Sequence, residues 1–260
     1  MYREIKPDPR LAPFVRCFWC MERDYGIPGA HEVVWPDGKT ELLLLVTGDY
    51  TCNGDLLPRN LLIGPLTRPV TLTAPGVVRL AGVRFHPWGF WPFFGAPVHR
   101  LRDRLLPYPN MAVPPDIAEG LAALEQHLLA RMAENHPLVA PMARAVLDSE
   151  GMLPVAELEE RSGVSARHLE RLFQEVVGLT PKRLSVIIRF DKARRALFRN
   201  PDVSLTEVAS QMGYYDQSHF IRDFRTHFGM TPGEFREWVL RQRATLFPAT
   251  RVGFVQVNPT

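Results

Sequence analysis

A chain of 260 residues, 46% hydrophobic and 23% charged, is comfortable for two domains and has the make-up of an ordinary globular protein, which excludes global disorder. Its formal charge of +3 permits a nucleic-acid partner without demanding one. Three cysteines are too few for a disulfide framework, and the longest apolar run, Leu42 to Val46, is far too short to span a bilayer.

The N-terminus, MYREIKPDPR, has no apolar core of the kind a signal peptide needs, so a cytoplasmic protein without membrane attachment is expected. Cys17 and Cys20 form C-x-x-C, but no second pair completes a zinc site. In the strand-like context VRCFWCM the two thiols point to opposite faces, and neither metal nor redox chemistry is expected of them. The turn Pro36-Asp37-Gly38 precedes a buried-strand candidate, Glu41 to Thr47. Leu61 to Ile63, Val70 to Thr73 and Val77 to Phe85 are similar, each bounded by Gly or Pro. Short strands at close intervals predict a small β-barrel or sandwich-like domain. The aromatic stretch Phe85 to Phe94 then caps one end or lines a pocket, which makes Phe85, His86, Trp88 and Trp91 the candidate effector-pocket residues.

From Asp116 the pattern turns helical, with Ile117, Leu121, Leu124, Leu128 and Met132 at helical spacing. Asn135-His136-Pro137 interrupts it. The expected fold class is therefore α+β, with a β-rich domain over 1–135 that ends in a helix, a helical domain over 136–246, and a tail over 247–260.

The helical part repeats itself. Glu157, Leu158 and Gly163 correspond to Glu207, Val208 and Gly213 at an offset of fifty. Ser165, Leu169, Phe173, Gly178, Thr180 and Pro181 correspond to Asp216, Phe220, Phe224, Gly229, Thr231 and Pro232 at fifty-one. Each copy reads as a short helix, a Gly-containing turn and a longer helix, which is helix-turn-helix spacing. The first motif runs over about 155–177, with Ser165 as the cap of its second helix; the other runs over about 205–228, with Asp216 as the cap. Leu169, Leu172, Phe173 and Val176 make one inward stripe, and Phe220, Phe224 and Phe228 the other. The outward faces present Arg167, His168, Glu170 and Arg171 in one copy, and Gln217, Ser218, His219 and Arg222 in the other. Such groups at the start of a helix are those that read base edges in a major groove. A linker helix over 182–199 joins the copies, about 27 Å long at 1.5 Å per residue. Its cations Arg189, Lys192, Arg194, Arg195 and Arg199 either sit beside phosphates or form a solvated face.

These residues resemble the two-motif DNA-binding domain of the AraC/XylS transcription regulators. The likeness lies in GVSARHLERLFQEVVGLTPKRL, RFDKARRAL and VASQMGYYDQSHFIRDFRTHFGMTPGEFR, about a third of the chain. It implies double-stranded promoter DNA as partner, and base-facing roles for Arg167, Glu170, Arg171, Gln217, Ser218, His219 and Arg222. Glu159 departs from the pattern, which carries a small Ala there, and implies looser packing of the first motif. WPDGKTELLL, LIGPLTRPVTL and GVRFHPWGFWPFFG resemble, more loosely, the sensor-like domains of one group of these regulators. That likeness implies a small effector or a homodimer contact, RNA polymerase as a further partner if the protein activates, and neither cofactor nor metal.

Two other classes compete. One is an effector-binding or protein-interaction module that has lost DNA binding, which the acids Glu159 and Glu170 keep open. The other is a cupin-like metalloenzyme using His31, His86 or the C-x-x-C pair, whose spacing matches no recognisable ligand set. Asp216, His219, Asp223 and His227 also share one stripe, but His219 and His227 lie about 12 Å apart along a helix, too far for one ion. The stripe is expected to divide into a cap, a DNA contact and a solvated pair.

Overall fold

The computed structural model describes residues 1–26, 30–131 and 134–246. The expected helical position Met132 and the expected tail over 247–260 lie outside these residues. The first strands are β1 (Tyr2–Ile5), β2 (Val15–Asp24), β3 (Glu32–Val34), β4 (Glu41–Thr47) and β5 (Thr51–Cys52). They are followed by β6 (Asp55–Leu56), β7 (Asn60–Ile63), β8 (Val70–Leu72), β9 (Val77–Phe85) and β10 (Leu105–Pro107). Six of them form one antiparallel sheet in the order β1-β2-β9-β4-β7-β10, while β3 pairs with β8 and β5 with β6.

The two-residue period of the strands sorts their side chains into two cores. Leu42 and Leu44 face one way with Phe18, Ala81 and Val83, and the helix α2 (Ile117–Leu129) covers them with Leu124 and Leu128. Asp116 caps that helix, accepting from the Glu119 amide at 2.8 Å. Leu43 and Leu45 face the other way with Trp19, Met21 and Leu80, under Val70 and Leu72 of the β3–β8 pair. Because both faces are buried, Leu42 to Leu45 read as a continuous apolar run rather than an alternating one. The arrangement is sandwich-like, with β1 and β10 at opposite ends of the strand order. Gly82 stands opposite Trp19, and a Cβ there would come within 2.8 Å of the indole. Cys17 faces the Trp19 core, and burial pushes its thiol up to about 11. An inert thiol is what a packing role requires.

The helical half contains α3 (Val139–Asp148), α4 (Val155–Ser162), α5 (Ala166–Val176), α6 (Pro181–Arg199), α7 (Leu205–Gln211), α8 (Gln217–Phe228) and α9 (Pro232–Leu246), after the short α1 (Trp91–Phe94). Helix α6 is shared by two cores. Its Leu184, Ile187 and Ile188 pack with Leu158, Leu169 and Phe173 of the first motif. Its Phe190, Ala193 and Leu197 pack with Val208, Phe220 and Phe224 of the second. A helix apolar on several sides must be enclosed, and α6 is enclosed by both motifs at once.

The aromatic stretch does not line the cavity that the structure contains, a correction to the expected pocket. Phe85 is fully buried against Phe90 and Phe93, with ring centroids 5.5 and 6.0 Å apart. Trp88 is buried in the core of the first motif and donates its indole N–H to the Pro13 carbonyl at 3.0 Å. Trp91 meets His136 edge-on, and His86 stacks on Trp88 at 4.9 Å. Large rings gain more from packing than from lining an open space, and here they form the seam between the β-rich and helical halves.

A second contact joins the halves from the other side. Trp35, between β3 and β4, lies edge-on to Phe228, Phe235 and Trp238, with centroids 5.3–5.6 Å away. Such ring pairs contribute about 0.5–1.5 kcal/mol each beyond the area they bury. Gly38, at φ +75°, brings the following turn against Leu184 of α6; a Cβ there would approach its methyl to 2.7 Å. Arg183 donates to the Thr67 carbonyl at 3.1 Å.

The seam carries a pH dependence. Burial, together with Arg144, Arg16 and Lys39 nearby, pushes His86 down to about 4, from about 6.5 in an unfolded chain. A depressed imidazole contributes stability that is complete above about 6.5 and lost as pH falls through about 4. Thermal melts between those limits should show a steeper loss for the natural chain than for His86→Gln; equal slopes would contradict this burial.

Candidate nucleic-acid interface

Both predicted recognition helices form with their expected caps. Ser165 accepts from the His168 amide at 3.4 Å, and Asp216 from the Ser218 amide at 2.9 Å. That second bond holds the Asp216 carboxyl below its ordinary value. A cap fixes the first turn of its helix, where the outward side chains stand. Leu169, Phe173 and Val176 anchor α5, while Phe220, Phe224 and Phe228 anchor α8, all buried. On the opposite faces Arg167, His168, Glu170 and Arg171 are exposed, as are Ser218, His219 and Arg222. Gln217 is half-buried, and its carbonyl oxygen accepts from the Thr206 hydroxyl at 2.8 Å. The bond ties the recognition helix to α7 and leaves the Gln217 amide nitrogen outside it.

The acid and imidazole stripe is more ordered than a solvated pair. Tyr214 donates its hydroxyl to Asp223 at 2.7 Å, and Asp223 also lies 3.4 Å from His219. The Tyr214 ring meets His219 edge-on at 5.1 Å. Burial and the adjacent carboxylate raise the Tyr214 phenol above its usual range, so it remains a donor at neutral pH. Asp223 is therefore the centre of a bridge from the turn to the exposed imidazole. His227 lies 4.7 Å from the Phe190 ring, and burial lowers its basicity. It is a packing residue of the second core.

The linker cations divide differently from either expectation. Arg194 and Arg195 both pair with the buried Asp191, at 2.6 and 3.3 Å, and face the β-rich half. Their phosphate-facing assignment is thereby corrected. Lys192 pairs with Glu150, beside the first motif. Sequence reasoning also missed Tyr215, which stands fully exposed in the turn just before the Asp216 cap. Its signal was an aromatic residue in a turn, next to a Tyr214 that does find a partner.

The bridge gives a direct expectation. Tyr214→Phe removes one hydroxyl without changing the ring, and should cost about 0.5–1.5 kcal/mol in denaturant unfolding. An unchanged midpoint would contradict the bridge.

Among the described residues no helix is long and apolar enough to cross a membrane, and no three His, Cys, Asp or Glu side chains are grouped to hold a metal ion. Residues 158–237 match a family described as a helix-turn-helix domain (HTH_18), and residues 3–107 match a domain of unknown function (DUF6597). The chain is similar to a probable thc operon regulatory protein of Rhodococcus erythropolis, 34% identical over 44% of this chain and 36% of that protein. It is also similar to the HTH-type transcriptional activator RhaS of Escherichia fergusonii, 39% identical over 31% of this chain and 28% of that protein. These alignments thus span about a third of the relatives' own length. ToxT from Vibrio cholerae aligns over 84% of this chain and 98% of its own, at 10% identity and a TM-score of 0.47. By its paired motifs on one linker helix, and by the regulators it resembles there, the chain belongs to the AraC/XylS type of helix-turn-helix transcription regulators.

Proposed function

We propose that this chain is a sequence-specific regulator that docks α5 and α8 into adjacent major-groove segments along one face of double-stranded promoter DNA. The observation that carries this reading is the pair of exposed polar faces on the first turns of α5 and α8, both hung on one enclosed helix. Arg167, Arg171 and Arg222 suit guanine edges, the Gln217 amide suits adenine, and Ser218 suits either. His168, Glu170 and His219 complete the groove-facing set. Helix α6 has 19 residues and spans about 28 Å, on the scale of the roughly 34 Å between successive major grooves on one DNA face.

In this reading residues 136–246 bind DNA, residues 1–135 adjust occupancy or dimer geometry in response to a small effector, and 247–260 is an appended tail. The protein works in the cytoplasm without catalysis, and RNA polymerase is its partner where it activates. Replacing Arg222 by Ala should weaken binding to a selected site by about 1–3 kcal/mol and relax preference at one base pair. Affinity of the natural chain should fall steeply with salt, because several phosphates are neutralised on binding. An Arg222→Ala protein with unchanged affinity and footprint would contradict the placement of α8. Absence of salt-sensitive binding to any genomic fragment would favour the protein-interaction reading instead.

A further inference from the structure

Between the sheet and the linker helix lies a cavity of about 70 Å³. A water needs roughly 10–15 Å³ by this measure, so the space suits one six-membered ring or a six-carbon chain. Its floor is the apolar interior of the β-rich half, with Leu43, Ile63, Leu66, Leu72 and Leu80. Trp19 lies in the same wall, 5% exposed, and its indole N–H has no hydrogen-bond partner among the described residues. A buried donor left unpaired is costly, and an acceptor on a bound molecule would relieve it.

The charged lining comes from both halves. On the sheet side Arg84 is enclosed by acids, pairing with Glu41 and, at 3.2 Å, with Glu4. On the helix side Arg194 and Arg195 share the single carboxylate of Asp191, so this wall carries one positive charge beyond what it neutralises. Arg195 is the more open of the two, its side chain 31% exposed and its contact with Asp191 the longer. A guanidinium presents five N–H donors in a planar fork and can take a second carboxylate alongside the first.

We propose that this cavity binds a small amphipathic organic monoanion, with its apolar body on the sheet floor and its carboxylate against Arg194 and Arg195 of α6. The Trp35 ring closes one side of the same cavity, with the Arg194 guanidinium 5.8 Å from its centroid, and reaches the core of the second motif. The ligand therefore touches the β-rich half, the linker helix and the residue that joins them. A carboxylate that draws Arg195 from Asp191 changes how α6 is held, and DNA affinity shifts by the difference in ligand affinity between the two arrangements. That consequence rests on the regulator reading; the binding itself does not.

The test uses the full chain with phenylacetate and hexanoate as probes, and phenylacetamide and hexanamide as neutral controls of nearly the same shape. Binding is read by calorimetry and by tryptophan fluorescence, since Trp19 and Trp35 both line the cavity. At least one carboxylate should bind saturably, with its amide weaker by on the order of tenfold. Arg195→Gln should cost a similar factor for the carboxylate while leaving the thermal midpoint nearly unchanged. Leu72→Phe, which fills the floor, should block both charged and neutral molecules. Neither carboxylate binding, equal binding of acid and amide, or undiminished binding to a folded Arg195→Gln chain would each overturn the proposal. Carboxylate binding by a chain that ignores DNA would uphold the cavity and sink the regulator reading. DNA binding without carboxylate binding would do the reverse.

Discussion

The structure depends on one helix being enclosed by two cores. Leu184 and Ile187 of α6 belong to the first motif, and Phe190 and Leu197 to the second, so neither motif can turn without moving the helix they share. Close packing makes such a helix a rigid spacer rather than a tether. Its one buried acid, Asp191, is held by Arg194 and Arg195, which prevents an uncompensated charge in the interior. The same three residues face the β-rich half, so the element that sets the spacing of α5 and α8 is also the element that half can sense.

The β-rich half reaches the helical half in two places. Trp88 enters the core of the first motif, with Arg144 over its ring at 5.2 Å. Trp35 reaches the second, against Phe228 and Trp238. Each motif thus has an indole from the N-terminal half in or against its core, with the cavity beside one of them. This geometry ties what happens in the sheet to the relative placement of the recognition helices, through packed side chains and not through a flexible connection.

Much of this was legible in the sequence where the information is local. The repeat offset, the caps Ser165 and Asp216 and the Phe220–Phe224–Phe228 stripe located α5 and α8 to within a residue or so, because caps and helical periods act over a few positions. The apolar run at Leu42 to Leu45 announced a buried strand in the same way. What escaped was set by contacts across long stretches of chain. Nothing near Trp35 shows that it meets Phe228, and an aromatic run such as Phe85 to Phe94 looks alike whether it lines a pocket or fills a seam. Arg194 and Arg195 read as candidate phosphate contacts until the sheet is seen opposite them. The stripe Asp216–His227 was correctly divided, but Asp223 needed Tyr214 from the turn to reveal its role.

The central claim is that α6 holds the two recognition helices at one fixed separation and rotation. It is tested most directly by inserting about half a helical turn of DNA between the two half-sites of a fragment the protein selects from its genome. A rigid frame predicts that affinity falls to that of a single half-site, and that inserting a whole turn also fails because α6 cannot lengthen. Binding that tolerates the half-turn insertion would contradict the rigid frame.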